Sequence, residues 1–371
     1  MNKKFNVAFI GGGINSEIGL VHKNALDITQ KFSLLAGCFS KDRKINKLSG
    51  EFYKIRNENI FENLELLLTQ ASSQLDALII LTPTNMHFDN IKTILKYKIP
   101  IISEKSLVLK SKEINEIKKL INNSNSFLTV TYNYTGYSMI REIQDFIKKG
   151  KLGRINKFLI EMPQDSYSRL DQKNNKLKIK RWRLQKYEIP MIFYDLGMHI
   201  HSLIKFLFNK KLSSVLSITK QSGNFNKIDD DVHCLLKMKD TSVGNIWFSK
   251  SALGQNNGLK LRIFGNKGAV EWYQEKPDHF FYYDKYGNKI EINQSSPLLN
   301  ISNSKRYQRF KPGHPTGFIE AFANYYEDIA MSLENNKKQN SYTLGIETAE
   351  EGLKFVESAF LSSKKNVWVQ I

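Results

Sequence analysis

Three residues of this sequence have side chains suited to proton transfer. Lys105 follows a short apolar run that ends at Ser103, and Asp195 and His199 are four residues apart in a later segment. If that segment is helical, Asp195 and His199 share one face. An imidazole titrates near neutral pH, whereas a lysine needs burial or a nearby cation to do so. Together these residue types are suited to moving a proton to or from a hydroxyl oxygen.

A glycine-rich turn lies close to the N-terminus. The apolar run 6–10 precedes it, helix-compatible sequence follows to about residue 31, and residues 32–39 form a second apolar run. This order predicts a strand–helix–strand unit, whose glycines let backbone N–H groups approach a pyrophosphate at the helix N-terminus. Gly11 and Gly13 fit the first two glycines of the dinucleotide fingerprint, and Ser16 stands in the place of the third. The predicted cofactor contacts in this turn are Gly11, Gly13, Ile14, Asn15 and Ser16.

Strands and helices continue to alternate through the first third of the chain. Strands are predicted at 75–81, 99–103 and 127–131, with helices at 61–70, 88–97 and 112–122. Such alternation predicts an α/β fold with a doubly wound parallel sheet, in which ligands bind beyond the carboxyl ends of the strands. The further cofactor contacts predicted at that edge are Ser40, Arg43, Thr82, Pro83, Asn85, His87, Glu104, Lys105 and Asn133.

The end of the second strand bears on the choice of cofactor. An enzyme that uses NAD usually has an acidic residue there, which accepts hydrogen bonds from the ribose. This sequence has Ser40, with Lys41 and Arg43 close by, which favours the 2′-phosphate of NADP. A shifted register would instead place Asp42 at the ribose, so the predicted cofactor is NAD or NADP.

The sequence pattern changes after residue 131. Runs at 155–161, 215–219, 232–238, 242–249, 259–264 and 269–273 follow one another with polar turns between most of them. Consecutive strands without helices predict a large, mostly antiparallel open sheet, and helices are expected at 139–149, 319–333 and 348–361. We therefore predict a Rossmann domain at residues 1–131 and an α/β substrate-binding and oligomerisation domain at 132–371.

Several of these stretches together resemble the glucose–fructose oxidoreductase, inositol dehydrogenase and rhizopine-catabolism family, called Gfo/Idh/MocA. They are the glycine turn, Thr82-Pro83 with His87, Glu104-Lys105, and Asp195 with His199. Residues 132–137, 181–183 and 313–322 resemble one branch of that family. The resemblance implies an NAD(P)-dependent oxidoreductase that acts on a secondary hydroxyl or keto group of a sugar, cyclitol or sugar derivative. It also implies a homodimer or homotetramer.

The chemistry of these side chains predicts a role for each candidate residue. His199 would be the general base in oxidation, Lys105 would hold the reacting oxygen and relay its proton, and Asp195 would position the substrate hydroxyl. Trp182 and Arg183 either contact the cofactor or substrate or only fix a loop. His201 is expected to be structural, because histidines two apart on a helix do not converge.

Two residues depart from the family pattern. Ser106 stands where members often carry a proline in a cis bond, and a cis bond before a non-proline residue costs about 3 kcal/mol. This turn is therefore predicted to be rebuilt. Tyr194 precedes Asp195 where a smaller residue is common, which predicts a smaller substrate pocket.

Two other classes of function are compatible with parts of this pattern. One is a regulatory protein that senses the dinucleotide or a sugar without catalysis; the presence of Lys105, Asp195 and His199 together favours an enzyme. The other is an aldolase- or decarboxylase-like enzyme that forms a Schiff base on Lys105, which the glycine turn disfavours.

Composition excludes several other classes. The formal net charge is +19, but lysine outnumbers arginine 45 to 10 and the basic residues are scattered, which argues against a nucleic-acid-binding protein. No apolar run reaches the roughly 18 residues that cross a bilayer, and two cysteines cannot form a disulfide framework. No cysteine cluster accompanies the histidines, so no metal is predicted. We expect a cytoplasmic protein that binds neither membranes nor nucleic acid.

Overall fold

A computed structural model describes residues 4–335 and 338–371. The chain divides into two compact units, each made of two segments. The first unit comprises Met1–Gly136 and Gly317–Glu350, and the second comprises Tyr137–Thr316 and Glu351–Ile371.

The first unit is built on a five-stranded parallel sheet. Its strands are β1 (Phe5–Gly11), β2 (Phe32–Cys38), β3 (Ala77–Leu81), β4 (Ile101–Ser103) and β5 (Leu128–Val130), in the order β2-β1-β3-β4-β5. Every residue of β3 is buried, as expected for a strand covered by helices on both faces. The helices between the strands are α1 (Glu17–Thr29), α2 (Arg43–Phe52), α3 (Leu64–Ala71), α4 (His87–Leu95) and α5 (Ser111–Ser124).

The second unit is built on a nine-stranded sheet. Its strands are β6 (Ile155–Pro163), β7 (Leu212–Lys220), β8 (Asp231–Met238), β9 (Val243–Ser249), β10 (Lys260–Gly265), β11 (Gly268–Tyr273), β12 (His279–Asp284), β13 (Lys289–Asn293) and β14 (Val369–Gln370). The order is β13-β12-β11-β10-β6-β9-β8-β7-β14, and each pairing is antiparallel except that of β6 with β9. Buried and exposed residues alternate along β8, so one face of the sheet is covered and the other is open.

Helices cover one side of this sheet, and one of them carries His199. They are α6 (Ser138–Lys148), α7 (Met198–Phe208) and the later part of α9 (Ile346–Lys365). A π-helical turn, Phe193–Gly197, leads directly into α7. All five of its residues are buried, which places Asp195 below the surface of the unit.

The chain returns to the first unit through α8 (Phe318–Glu334), which packs against α1. Phe322, Tyr325, Tyr326 and Ile329 enter the same apolar core as Phe9 of β1. The hydroxyl of Tyr325 donates to the carbonyl oxygen of Val130 at 2.7 Å, which ties α8 to the end of β5.

The predicted fold class is confirmed, and two details differ from the sequence prediction. The single boundary at residue 131 does not describe the two units, because the returning segment 317–350 completes the apolar core of the first. Helix α2 and strands β12, β13 and β14 were not predicted. Only three residues of α2 are buried, and β13 buries only Ile292, so neither has a clear apolar pattern.

Within the described residues, each helix is too short or too polar to cross a membrane.

Candidate active site

The glycine turn lies between β1 and α1. Gly11 and Gly12 have φ angles of 80° and 71°, a left-handed conformation that favours glycine. The Ile14 amide donates to the Ser49 hydroxyl at 3.0 Å, and a side chain at Gly13 would meet that hydroxyl at 2.8 Å. Ser16 caps α1, where its hydroxyl accepts from the Gly19 amide at 3.4 Å. The turn therefore places the N-terminus of α1 at the carboxyl edge of the sheet.

Gly19, rather than Ser16, has the third glycine's role. A Cβ at Gly19 would overlap the carbonyl group of Gly12 and approach the Tyr53 hydroxyl to 2.8 Å. The third glycine of the fingerprint allows this close packing of helix against strand. The standard fingerprint spacing predicts the third glycine at Ser16, whereas this turn is three residues longer and brings Gly19 to that place. The Tyr53 hydroxyl donates to Gly12 at 2.7 Å, and burial raises the pKa of Tyr53 to about 12.

The end of β2 has its polar groups engaged in local structure. Asp42 caps α2, since its carboxylate accepts from the Ile45 amide at 3.0 Å. The Asn46 amide oxygen accepts from the Phe39 and Ser40 amides, which fixes the backbone there. Arg43 is mostly exposed and lies 3.2 Å from Glu62.

His87 joins two of the predicted cofactor loops. Its ring nitrogens lie 2.8 Å from the Thr82 carbonyl oxygen and 2.9 Å from that of Ser106. The side chain is fully buried, and burial lowers its pKa from 6.5, although both carbonyls and the charge of Glu104 oppose that shift. Because both nitrogens face backbone carbonyls, His87 supports the loops instead of offering a nitrogen to a ligand.

Glu104 is the centre of a buried polar network. His22 of α1 places Nε2 at 3.0 Å from the Glu104 carboxylate and Nδ1 at 2.6 Å from the Tyr326 hydroxyl. The Thr131 hydroxyl also donates to Glu104. Burial alone would raise the pKa of Glu104, but His22, the Thr131 hydroxyl and the charge of Lys105 together hold it below 4.5. The residue next to Lys105 is thus an anion with buried partners.

The turn after β4 differs from the sequence expectation. Lys105 is partly buried and Ser106 is buried, and the peptide bond between them is cis. The prediction that serine at position 106 rebuilds this turn is therefore wrong. The carbonyl of Ser106 instead faces His87, as described above.

The structure collects most of the predicted cofactor residues at one edge. The loops after β1, β2, β3, β4 and β5 carry Gly11, Gly13, Ile14, Asn15, Ser16, Ser40, Arg43, Thr82, Pro83, Asn85, His87, Glu104, Lys105 and Asn133. Parallel strands place all these loops at their carboxyl ends. Trp182 and Arg183 belong to the second unit, in which they lie in a short 3₁₀ helix.

The second unit places two acid–base candidates on one continuous helical segment. Asp195 lies in the π-helical turn and His199 in the first turn of α7, and both are buried. One carboxylate oxygen of Asp195 lies 2.9 Å from Nη1 of Arg183 and 2.8 Å from Nζ of Lys250. The carboxylate therefore has two cationic partners, as expected for a charge placed below the surface.

His201 differs from His199 in its surroundings. It is buried and stacks on Phe355 with a 6.0 Å centroid separation, and burial together with the charge of Lys205 lowers its pKa to about 3. A ring held neutral in this way has the properties of a packing residue. Among residues 4–335 and 338–371, no cluster of three or more His, Cys, Asp or Glu side chains could hold a metal ion.

Sequence reasoning missed four residues of these sites. Gly19 could have been found by allowing a longer turn after Gly13. His22 and Tyr326 are 304 residues apart, and Lys250 follows an ordinary strand, so no local pattern marks them.

The first unit has the strand order, glycine turn and polar sheet edge of a dinucleotide-binding Rossmann domain. Residues 5–132 match the family model described as the oxidoreductase family with an NAD-binding Rossmann fold, and residues 140–271 match the GFO/IDH/MocA C-terminal domain. The chain belongs to this Gfo/Idh/MocA family of oxidoreductases, whose enzymes are NAD(P)-dependent dehydrogenases.

Individual relatives agree with this assignment. The chain is 25% identical to the uncharacterized oxidoreductase YfiI of Bacillus subtilis, over all of this chain and 98% of that protein. It is 24% identical to an inositol 2-dehydrogenase of Rhizobium meliloti over 71% of this chain and 72% of the relative.

A solved structure supports the fold over the whole chain. It is an inositol dehydrogenase homolog of Azotobacter vinelandii in complex with NADH and myo-inositol. It superposes with a TM-score of 0.88 at 22% identity, covering 100% of this chain and 98% of the other.

Proposed function

We propose that the protein transfers a hydride between a nicotinamide cofactor and a secondary hydroxyl or keto group of a sugar, cyclitol or sugar derivative. The proposal rests on one observation. Asp195 and His199 are both buried, and the Asp195 carboxylate forms ion pairs with Arg183 and Lys250. Binding a polyol needs several hydrogen-bonding groups in one place, and removing its proton needs a group such as imidazole.

The glycine turn and the sheet edge of the first unit are proposed to hold the cofactor. The residues present fit a dinucleotide, because the turn has no Cβ at the points of close approach and α1 begins directly behind it. When bound, the nicotinamide ring accepts or donates the hydride. We propose NADP as the preferred form, because Asp42 already caps α2 and Arg43 is an exposed cation after β2.

We propose a separate role in the reaction for each of Lys105, Asp195 and His199. Lys105 holds the reacting oxygen and relays its proton. His199 removes that proton in oxidation and returns it in reduction. Asp195, an acceptor when ionised, orients the substrate through a hydroxyl group. The Glu104 network keeps the backbone beside Lys105 in place, since its carboxylate bonds to both α1 and Thr131.

The test is a panel of sugars, cyclitols and nucleotide-linked sugars with NAD and NADP, followed by the absorbance of the reduced nicotinamide. The proposal expects turnover of at least one such substrate. Cofactor binding without turnover on any of them would contradict it and would indicate a sensor. Treatment with borohydride in the presence of substrate, followed by mass measurement, would reveal a Schiff base on Lys105.

We also propose that the protein assembles with copies of itself through the open face of the nine-stranded sheet. Ile218, Leu235 and Val243 lie on adjacent strands of that face and are each about half exposed. Exposed apolar patches of this kind mark interaction surfaces. Light scattering should give the mass of a dimer or tetramer, and Leu235→Asp should shift the mass toward that of a monomer.

A further inference from the structure

Two strand ends in the second unit direct polar side chains toward Asp195. Strands β6 and β9 are parallel neighbours, with Pro163 paired to Ser249. Gln164 and Lys250 are the residues that follow these two positions. The Gln164 amide donates to the carbonyl oxygen of Ser249 at 2.8 Å, so the backbone holds the two ends together.

Lys250 is an unusual lysine in this chain because it is only 2% exposed. Its ammonium nitrogen lies 2.8 Å from the Asp195 carboxylate and 3.0 Å from the side-chain oxygen of Gln164. A buried ammonium group is strongly destabilising unless such partners compensate for its lost hydration. The side chains of Lys250 and Asp195 therefore depend on each other.

Arg183 does not provide the same support. Its guanidinium reaches the same carboxylate oxygen at 2.9 Å, but its side chain is one-third exposed, against 3% for that of Lys250. Arg183 lies in a short 3₁₀ helix, whereas Lys250 follows a central strand of the sheet. A charge fixed by a strand and shielded from solvent holds its partner more rigidly than one on an exposed segment.

We propose that Lys250 is a positioning residue for catalysis, which fixes the orientation of the Asp195 carboxylate toward substrate. The inference rests on the proposed function, in which Asp195 orients a substrate hydroxyl. Lys250 acts through Asp195, because a nearby ammonium favours the charged form of a carboxylate. Gln164 completes the arrangement by accepting a second hydrogen bond from the ammonium.

The first test compares Lys250→Met with Lys250→Arg in the full-length enzyme. Lys250→Met should lower kcat/KM at least 10-fold, mainly through KM. Lys250→Arg should restore much of that loss, because it keeps the positive charge. Lys205→Met is the matched control, since it removes a half-buried ion pair with Glu351 in the same unit. A kcat/KM within twofold of wild type in folded Lys250→Met, or a loss that Lys250→Arg does not reduce, would overturn the inference.

The second test does not depend on turnover. The Tm values of Lys250→Met, Asp195→Asn and the double variant are measured without substrate or cofactor. A shift in the double variant smaller than the sum of the single shifts supports the pair. If the Tm shifts are additive and the wild-type enzyme oxidises polyols, the proposed role of Lys250 is wrong and the proposed function still stands. Failure of the wild type to turn over any substrate of the panel would overturn the proposed function, and the catalytic use of Lys250 with it.

Discussion

His22 Nε2 lies 3.0 Å from the carboxylate of Glu104, and both side chains are buried. An ionised carboxylate only accepts hydrogen bonds, so His22 donates through Nε2, and in the neutral ring Nδ1 accepts from the Tyr326 hydroxyl. One imidazole therefore links the first helix of the Rossmann unit, the residue beside Lys105, and α8.

This contact predicts how stability depends on acid. The pKa of Glu104 is lower in the folded protein than its ordinary 4.5, so its contribution is complete above about pH 4.5 and is lost as pH falls through the folded value. Glu104→Gln should lower the free energy of unfolding at neutral pH by about 1–3 kcal/mol. As the pH falls, the variant should lose less stability than the wild type. Urea unfolding at several pH values measures both effects. Glu58→Gln, at an exposed site, is the control and should behave as the wild type.

His201 should give a different pH dependence. Its pKa is lowered to about 3 by burial and by Lys205, while in the unfolded chain it takes up a proton near pH 6.5. Between those values only the unfolded state binds the proton, so stability falls by up to about 1.4 kcal/mol per pH unit as pH decreases. His201→Phe should flatten this part of the stability profile. Equal slopes in wild type and His201→Phe would contradict the prediction.

Removing either proton-transfer group should impair the reaction. Lys105→Ala and His199→Ala are each expected to lower kcat at least ~100-fold, the usual effect of losing general acid–base catalysis. Cofactor affinity should change much less in His199→Ala, since the cofactor is proposed to bind the first unit. Lys96→Ala removes an exposed lysine of that unit and serves as the control. A residue whose variant turns over at a near-normal rate has no part in the mechanism.

Gly19→Ala tests the close packing behind the glycine turn. The added Cβ would displace the Gly12 carbonyl and disturb its bond from Tyr53, so the turn would no longer fit a pyrophosphate. We expect dinucleotide affinity to fall at least 10-fold, which is about 1.4 kcal/mol. Titration of protein fluorescence with NADH and NADPH measures it. Leu20→Ala changes an exposed neighbour in the same helix and should bind as tightly as the wild type.

Cofactor preference can be tested at the end of β2. Arg43→Ala should raise the KM for NADPH roughly 10-fold and leave that for NADH nearly unchanged, because a cation there contacts only a 2′-phosphate. Ser40→Asp should favour NADH, since a carboxylate accepts from the ribose and repels the phosphate. Unchanged ratios in both variants would show that this loop does not select the cofactor.

The sequence was sufficient for features that depend on local pattern. Alternating apolar runs specified the parallel sheet, and the strand ends specified which loops share its edge, because parallel strands all present their carboxyl ends together. The sequence analysis placed Asp195 and His199 on one face only on the condition that their segment is helical, and the structure shows a helix there whose first turn is π-helical.

Features that depend on distant residues could not be found in this way. The Lys250–Asp195 pair joins a strand end to a helix 55 residues earlier, and the His22–Tyr326 contact spans almost the whole chain. Neither lysine after a strand nor tyrosine in an apolar helix is distinctive, so only the folded arrangement gives them a role. The cis bond before Ser106 likewise conflicts with residue preference, and sequence rules predict its opposite.

The returning segment has a consequence for biosynthesis. Helix α8 supplies Phe322, Tyr325 and Tyr326 to the core of the first unit, yet it begins 188 residues after the end of β5 and is translated that much later. The first unit therefore cannot complete its core as it leaves the ribosome and must wait until eight of the nine strands of the second sheet have been synthesised. A nascent chain stalled near residue 136 would display an open apolar surface to chaperones, whereas one released at full length would not.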